Sequence, residues 1–411
     1  MWKLSKMLRM AALAVLPGLC ALCGCGFFPP LNQTTPCTDC TTAVSYLYVA
    51  NQSTSAPAIA GVILTTTTTP ASGTTPASST LSAAGTPSSN YVLSYPPTAL
   101  AIDPANSYLY VGETDLLAGG VYVYAINSDR SLTLQSTISP VTVATYPVAM
   151  QVDPTGGNLV VLNYSTSATD AVIASYAIDA STGGLTLTGT YTIPHAGASQ
   201  QMAISPSAQS SGIQNVIVTL GTGGIEAFTL NSSTGALSDQ GNIAPRPATA
   251  GQDLGVAIDP TNTYVYVTET LANVVRAFTF TTSNATTPGG LVEVAGTFPT
   301  GVYPSSVLVD TTGKYVYATN KTAATISGFS LNSTTGALTP LGTTGFATGT
   351  NPVGLAEDAT KAYIGAISIG GTPDLRMFSF DATTAGTLDK ALDISTAATS
   401  PASAALVVAT H

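Results

Sequence analysis

At 411 residues the chain has room for more than one ordinary domain, yet only 8% of it is charged, and its aromatic residues are mostly Tyr. The formal charge is -10. Lys3, Lys6 and Arg9 sit near the N-terminus, and without them eight basic side chains face 21 acidic ones. A weakly charged, acidic composition of this kind excludes polyanion binding, so no nucleic-acid partner is expected.

Residues 1–25 read as an address. Lys3, Lys6 and Arg9 form a positive start, residues 10–22 an apolar run too short to span a bilayer comfortably, and "LCGC" (22–25) follows. This ending resembles a bacterial lipobox, with Cys25 as the lipid-bearing residue, Gly24 before it and Leu22 three before; Cys23 departs from the small or hydroxyl residue usual at that position. The resemblance implies export and a membrane contact made through lipid alone. Gly26 and Phe27 follow, with no Asp, which by the same resemblance places the chain in the cell envelope at the outer membrane. Residues 26–44 read as a tether. It contains Cys37 and Cys40 in "PCTDC", with no second Cys pair and no nearby His to complete a zinc site, so a small local disulfide is expected.

From residue 45 onward one unit repeats. Its most regular segment is "YLYVAN" at 46, "YLYVGE" at 108, "NLVVLN" at 158, "NVIVTL" at 215, "YVYVTE" at 264, "YVYATN" at 315 and, more weakly, "AYIGAI" at 362. Before it stands an apolar strand ending in an Asp turn, as in "ALAIDPANS" and "SVLVDTTGK". After it come a third strand such as "IEAFTLN" or "VVRAFTF" and a Gly-containing turn such as "STTGALT" that opens a fourth. Four alternating strands per unit, seven times at a period near fifty, predict an all-β chain: a seven-bladed β-propeller of four-stranded antiparallel blades over residues 45–411. The first unit lacks its leading strand, whereas the chain finishes with "SPASAALVVATH". Residues 402–409 are therefore expected to supply the inner strand of the first blade and close the ring.

The Asp-turn-"YVYVTE" phrase and the "NSTTGALT" hairpin resemble the seven-bladed lactonase-type propellers, the family of the propeller 6-phosphogluconolactonase and its relatives with YVTN-type repeats. The resemblance covers residues 45–411 and implies, for an enzyme, hydrolysis of a cyclic ester. Export and the scarcity of basic residues argue against a phosphorylated sugar lactone. Propellers host many functions, so a non-catalytic envelope propeller that binds a glycan or a protein stands as the alternative.

Strand order assigns residues to faces. Loops between first and second strands carry Asp103, Asp153, Asp259, Asp310 and Asp358, which read as turn caps whose side chains accept nearby backbone N–H groups. The opposite face holds the loops between second and third strands and the links between blades. Second strands end there on Asn51, Glu113, Asn163, Leu220, Glu269, Asn320 and Ile367. Such residues either simply stop strands or ring a pocket able to hold a sugar, a lactone or a divalent cation such as calcium. On the pocket reading, Glu113, Glu269 and His195 are the candidate catalytic groups, His195 being the sole histidine apart from His411. Tyr146, Tyr303, Asn163, Asn320 and Asn351 are the candidate contacts to a small neutral carbohydrate or lactone. Arg276 and Arg376, at matching positions of third strands, either meet an anion or cover apolar surface.

Overall fold

A computed structural model describes residues 40–53, 55–71, 78–114, 119–138, 145–165, 170–194, 200–207, 209–243, 252–280, 290–371, 373–396 and 401–409. They form seven antiparallel sheets arranged as the blades of a propeller. From the axis outward, blade two runs Pro97–Ile102, Tyr108–Glu113, Gly120–Ile126 and Leu132–Ile138. The other blades keep that order, and blades five and six each add a two-residue strand at the edge, Phe298–Pro299 and Phe346–Ala347. Among the described residues no helix is long and apolar enough to cross a membrane.

Closure follows the expected plan. Pro401–Ala409 lies innermost in blade one, antiparallel to Thr41–Asn51, with Tyr46 opposite Ala409, Tyr48 opposite Val407 and Asn51 opposite Pro401. The core is not central; it is divided among the seams between blades. Period-two alternation sends one face of each second strand to the preceding blade and the other to the next. Val265 and Val267 accordingly pack on Ile217 and Ala227 of blade four, while Tyr264 and Tyr266 pack on Val307, Val316 and Phe329 of blade six.

The repeated phrases have direct physical jobs. Asp103 Oδ1 accepts the N–H groups of Ser107 and Tyr108 at 2.7 and 2.6 Å, and Asp259, Asp310 and Asp358 do the same for Tyr264, Tyr315 and Tyr363 at 2.6, 2.7 and 2.8 Å. Each buried Asp thereby caps its turn and fixes the start of the second strand. In the Tyr-x-Tyr pair both rings reach into the next blade's Gly turn. Tyr266 Oη donates to Gly336 O at 3.0 Å, and Tyr317 Oη to Gly386 O at 2.7 Å. The first tyrosines, Tyr264 and Tyr315, lie where a Cβ on those glycines would sit, and both glycines have positive φ, 71° and 79°. The Gly of "STTGALT" is thus required twice, by its backbone conformation and by the ring beside it.

Blade one differs. The sheet begins at Thr41, so residues 41–44 are strand where a tether was expected, because the Tyr-x-Tyr repeat marks only the part of the strand shared with other blades. Its strands Thr41–Asn51, Ala58–Thr69 and Ser78–Val92 have 11, 12 and 15 residues, whereas second strands such as Tyr108–Glu113 have 6. Ser45 Oγ donates to the turn carboxylate of Asp358 at 2.8 Å, so Ser45 stands level with the Asp-turn face. Residues 41–44, 65–69 and 78–82 extend past it as a Thr- and Ser-rich ribbon. Cys40, at its tip, is disulfide-bonded; Cys37 lies outside the described residues.

Candidate functional site

On the face of the blade links, the residue before an inner strand accepts a backbone hydrogen bond from the residue just after the second strand. Thr270 N–H donates to Gln252 O at 2.9 Å, Lys321 N–H to Tyr303 O at 2.8 Å and Ile369 N–H to Asn351 O at 3.0 Å. Tyr303 and Asn351 take left-handed φ values of 63° and 50° although a proline follows each. That conformation is costly outside Gly and is held here by these bonds and by Tyr303 N–H donating to Asn273 Oδ1 at 2.8 Å.

These links frame a cavity of 340 Å³ at the channel mouth beside blades four to seven. Gln200, Gln201, Gln252, Tyr303, Ser305 and Lys321 line it, over an apolar floor of Leu254 and Val353. Lys321 Nζ lies 5.9 Å from the centre of the Tyr303 ring. Ser305 Oγ is already engaged with Thr319 and with Pro352 O. The mouth thus offers three amides, a phenol and one ammonium, and no carboxylate among its described lining. A larger cavity of 470 Å³ lies between inner strands, where Leu100, Ile102, Met150, Val152 and Val307 are joined by Gln151, Thr311 and Glu357, whose carboxyl burial raises and whose Oε2 accepts Thr311 N–H at 2.8 Å; Gln201 is common to both cavities. The smaller cavity gathers amides, a phenol and an ammonium and is the candidate site.

Of the expected site residues, Tyr303 lines this mouth. Tyr146 is half-buried and stacked on Tyr164 at 5.4 Å; burial raises its phenol's pKa. Asn351 is exposed beside the pocket wall. Glu113, Asn163, Glu269 and Asn320 are each at most 1% exposed and line no part of the mouth. Their expected convergence on one mouth is not what the sheets give. The last residue of a second strand shares its face with the valines and leucines two and four positions earlier, and that face is sealed against the preceding blade. Asn320 Nδ2, for instance, donates to Thr325 Oγ1 and Ser327 Oγ, both at 3.0 Å. His195, Cys25 and Cys37 lie outside the described residues. Gln200, Gln201, Gln252 and Lys321 were not singled out by sequence. The available signal was the break in the repeat where blades four and five enter without a proline, at "SQQM" and "GQDL".

The seam between blades four and five holds a charged cluster. Arg276, 1% exposed, grips Glu293 with two bonds of 3.1 and 3.2 Å, faces Glu269 at 4.0 Å and lies over Phe278. Asp253 is fully buried with neither carboxyl oxygen hydrogen-bonded. Burial, reinforced by Glu269 and Glu293 and opposed by Arg276, pushes its carboxyl up to about 7. Arg376 makes the corresponding bridge to Asp393 at 2.6 and 3.1 Å in a more open setting. Both arginines are therefore paired across strands. Among the described residues no group of three or more His, Cys, Asp or Glu is arranged to hold a metal ion.

Fold and mouth together define a seven-bladed propeller with a small polar pocket on the face of its blade links. The chain belongs to the lactonase, 7-bladed beta-propeller family, whose model matches residues 62–396. Its fold is shared by a 6-phosphogluconolactonase candidate from Bacteroides fragilis, at 18% identity and a TM-score of 0.65 over 89% of this chain and 98% of the other. A periplasmic gluconolactonase of Pseudomonas aeruginosa is similar at 16% identity and a TM-score of 0.65, over 89% and 99%. A protein of Lactobacillus plantarum matches at 19% identity and 0.60, over 86% and 97%. No curated protein matches the chain.

Proposed function

We propose that the protein is an exported propeller, lipid-anchored through Cys25 in the cell envelope, that opens a neutral sugar-type lactone at its mouth pocket. The observation that carries this reading is the lining itself: amides and a phenol suit the hydroxyls of a polyol, and a single ammonium suits an oxygen that gains charge when water attacks a cyclic ester. Lys321 and Tyr303 are the candidate donors to that oxygen. Glu113 and Glu269 are enclosed in seams, so the base that activates water is assigned to His195, which precedes Gln200 by five residues in the same link. The family supplies the reaction class, and the P. aeruginosa relative is by its name a periplasmic gluconolactonase. One ammonium in the lining gives little reason to favour a phosphorylated substrate.

Hydrolysis of glucono-1,5-lactone, followed by acid release with and without calcium, tests the reading. Lys321→Met and His195→Ala are each expected to lower kcat/KM by roughly a hundredfold while the thermal transition stays in place. A wild-type chain that binds polyols without turnover selects the second reading, a binding scaffold for envelope glycan or protein, which the enclosure of both glutamates favours. Anchoring is tested separately: Cys25→Ser is expected to move the chain from the membrane to the soluble fraction, and unchanged membrane association overturns the anchor.

A further inference from the structure

One position of the repeat is out of character, and neither the turn caps nor the mouth uses it. The residue before the turn Asp is Ile102, Val152, Ile258 and Val309 in blades two, three, five and six, but Glu357 in blade seven. Glu357 ends the inner strand Pro352–Glu357, so the fold sets a carboxylate at the turn-face end of the channel, where its counterparts are aliphatic. It lines the 470 Å³ cavity together with Ile102, Val152 and Val309. Thr311, exposed in the Asp310 turn, lines the same cavity and marks where it reaches the surface.

The surroundings of this half-buried carboxylate limit what could join it. Its Oε2 accepts Thr311 N–H at 2.8 Å, and among the described residues no Lys or Arg forms an ion pair with it. Burial raises its pKa, the neighbouring Asp310 and Asp358 raise it further, and only Thr311 opposes them. Lys314 and Lys361 stand in the same two turns with their side chains exposed. Glu357 is therefore short of a positive charge. A metal ion is poorly served, because Asp310 and Asp358 already hold turn N–H and hydroxyl groups, which leaves a single carboxylate. The described lining has no Phe, Tyr or Trp, so the aromatic walls that recognise a quaternary ammonium are missing as well.

We propose that this cavity binds a primary amine with an aliphatic body, its ammonium on Glu357 and its chain along the inner strands. The ammonium donates to the carboxylate where water otherwise would, and the chain covers Leu100, Met150 and Val307. Size agrees, since 470 Å³ lies within the range of small-molecule sites. The formal charge of -10 draws such a ligand from solution. The mouth on the opposite face, with Lys321 as its charged group, selects against it.

Titration calorimetry of the full chain with hexylamine, hexanol and methylamine tests this near pH 8, where the carboxyl is ionised and the amines remain protonated. Hexylamine is expected to bind with a Kd below about 1 mM. Hexanol lacks the charge and methylamine the chain, so each is expected to bind at least about tenfold more weakly. Glu357→Gln keeps an oxygen for Thr311 N–H; it is expected to weaken hexylamine by at least about tenfold, leave hexanol as it was and keep the thermal transition in place. A wild-type chain that does not bind hexylamine overturns the proposal. So does hexanol binding as tightly as hexylamine, which would make this an apolar cavity without selection for charge, and so does hexylamine binding that the Gln variant leaves intact, which would place the amine elsewhere.

Discussion

Deleting residues 401–411 is expected to abolish cooperative unfolding of the whole propeller. The deletion removes the partner of Tyr46, Leu47, Tyr48, Val49 and Asn51, of which Leu47, Tyr48 and Val49 are at most 1% exposed. Each buried backbone group left unpaired costs about 1–3 kcal/mol, so a handful of them rivals the roughly 5–15 kcal/mol by which a folded domain is stable at all. The loss spreads, because blades one and seven share a seam in which Leu47, Val49 and Val62 pack on Val353, Ile367 and Met377. Calorimetry of the truncated chain should show no sharp transition, and adding a peptide of residues 401–409 should restore one. A truncated chain that melts with the wild type would mean the ring is held shut elsewhere.

Arg276→Met is expected to cost about 3–5 kcal/mol near pH 8, far more than Arg376→Met, because it leaves Asp253, Glu269 and Glu293 in one seam without their cation. The pH dependence has a definite sign. The Asp253 carboxyl is raised from 3.8 to about 7 on folding, so between those values the folded chain holds a proton that the unfolded chain has released. Stability therefore falls as pH rises through that window, by on the order of 4 kcal/mol for this group, and levels off above it. Asp253→Asn should match the wild type near pH 4, exceed it at pH 8 and flatten the curve. Glu226, raised by burial from 4.5 to about 7 beside Asp239, titrates over a narrower part of this window, so the Asn variant retains a smaller fall in stability. Denaturant midpoints across pH 4–8 read both effects, and a Met variant as stable as the wild type at pH 8 would remove the cluster from the account.

The repeat made the blades legible because each phrase answers a local demand. Asp at the turn, Tyr-x-Tyr on the strand and Gly at the hairpin recur wherever one blade must meet the next, and the missing first strand pointed to the last segment of the chain. The mouth was less legible for an equally definite reason. Alternation shows that Glu269 and Val267 share a face, but the string of letters does not say whether that face meets the channel or a neighbouring blade; only the radial packing of the sheets decides it. The residues that do line the mouth, Gln200 and Gln252, break the repeat instead of following it. Residues 41–44 are not legible as strand because they precede the Tyr-x-Tyr phrase that marks the unit.

Closure by Pro401–Ala409 also sets an order of events in folding. Every other described strand of the ring precedes this one in the chain, so the ring cannot shut until residues 401–409 take their place. Up to that moment blade one lacks its innermost strand and its seam with blade seven stays incomplete. Completion of the ring waits on a single strand, which makes this segment a timer as well as a clasp.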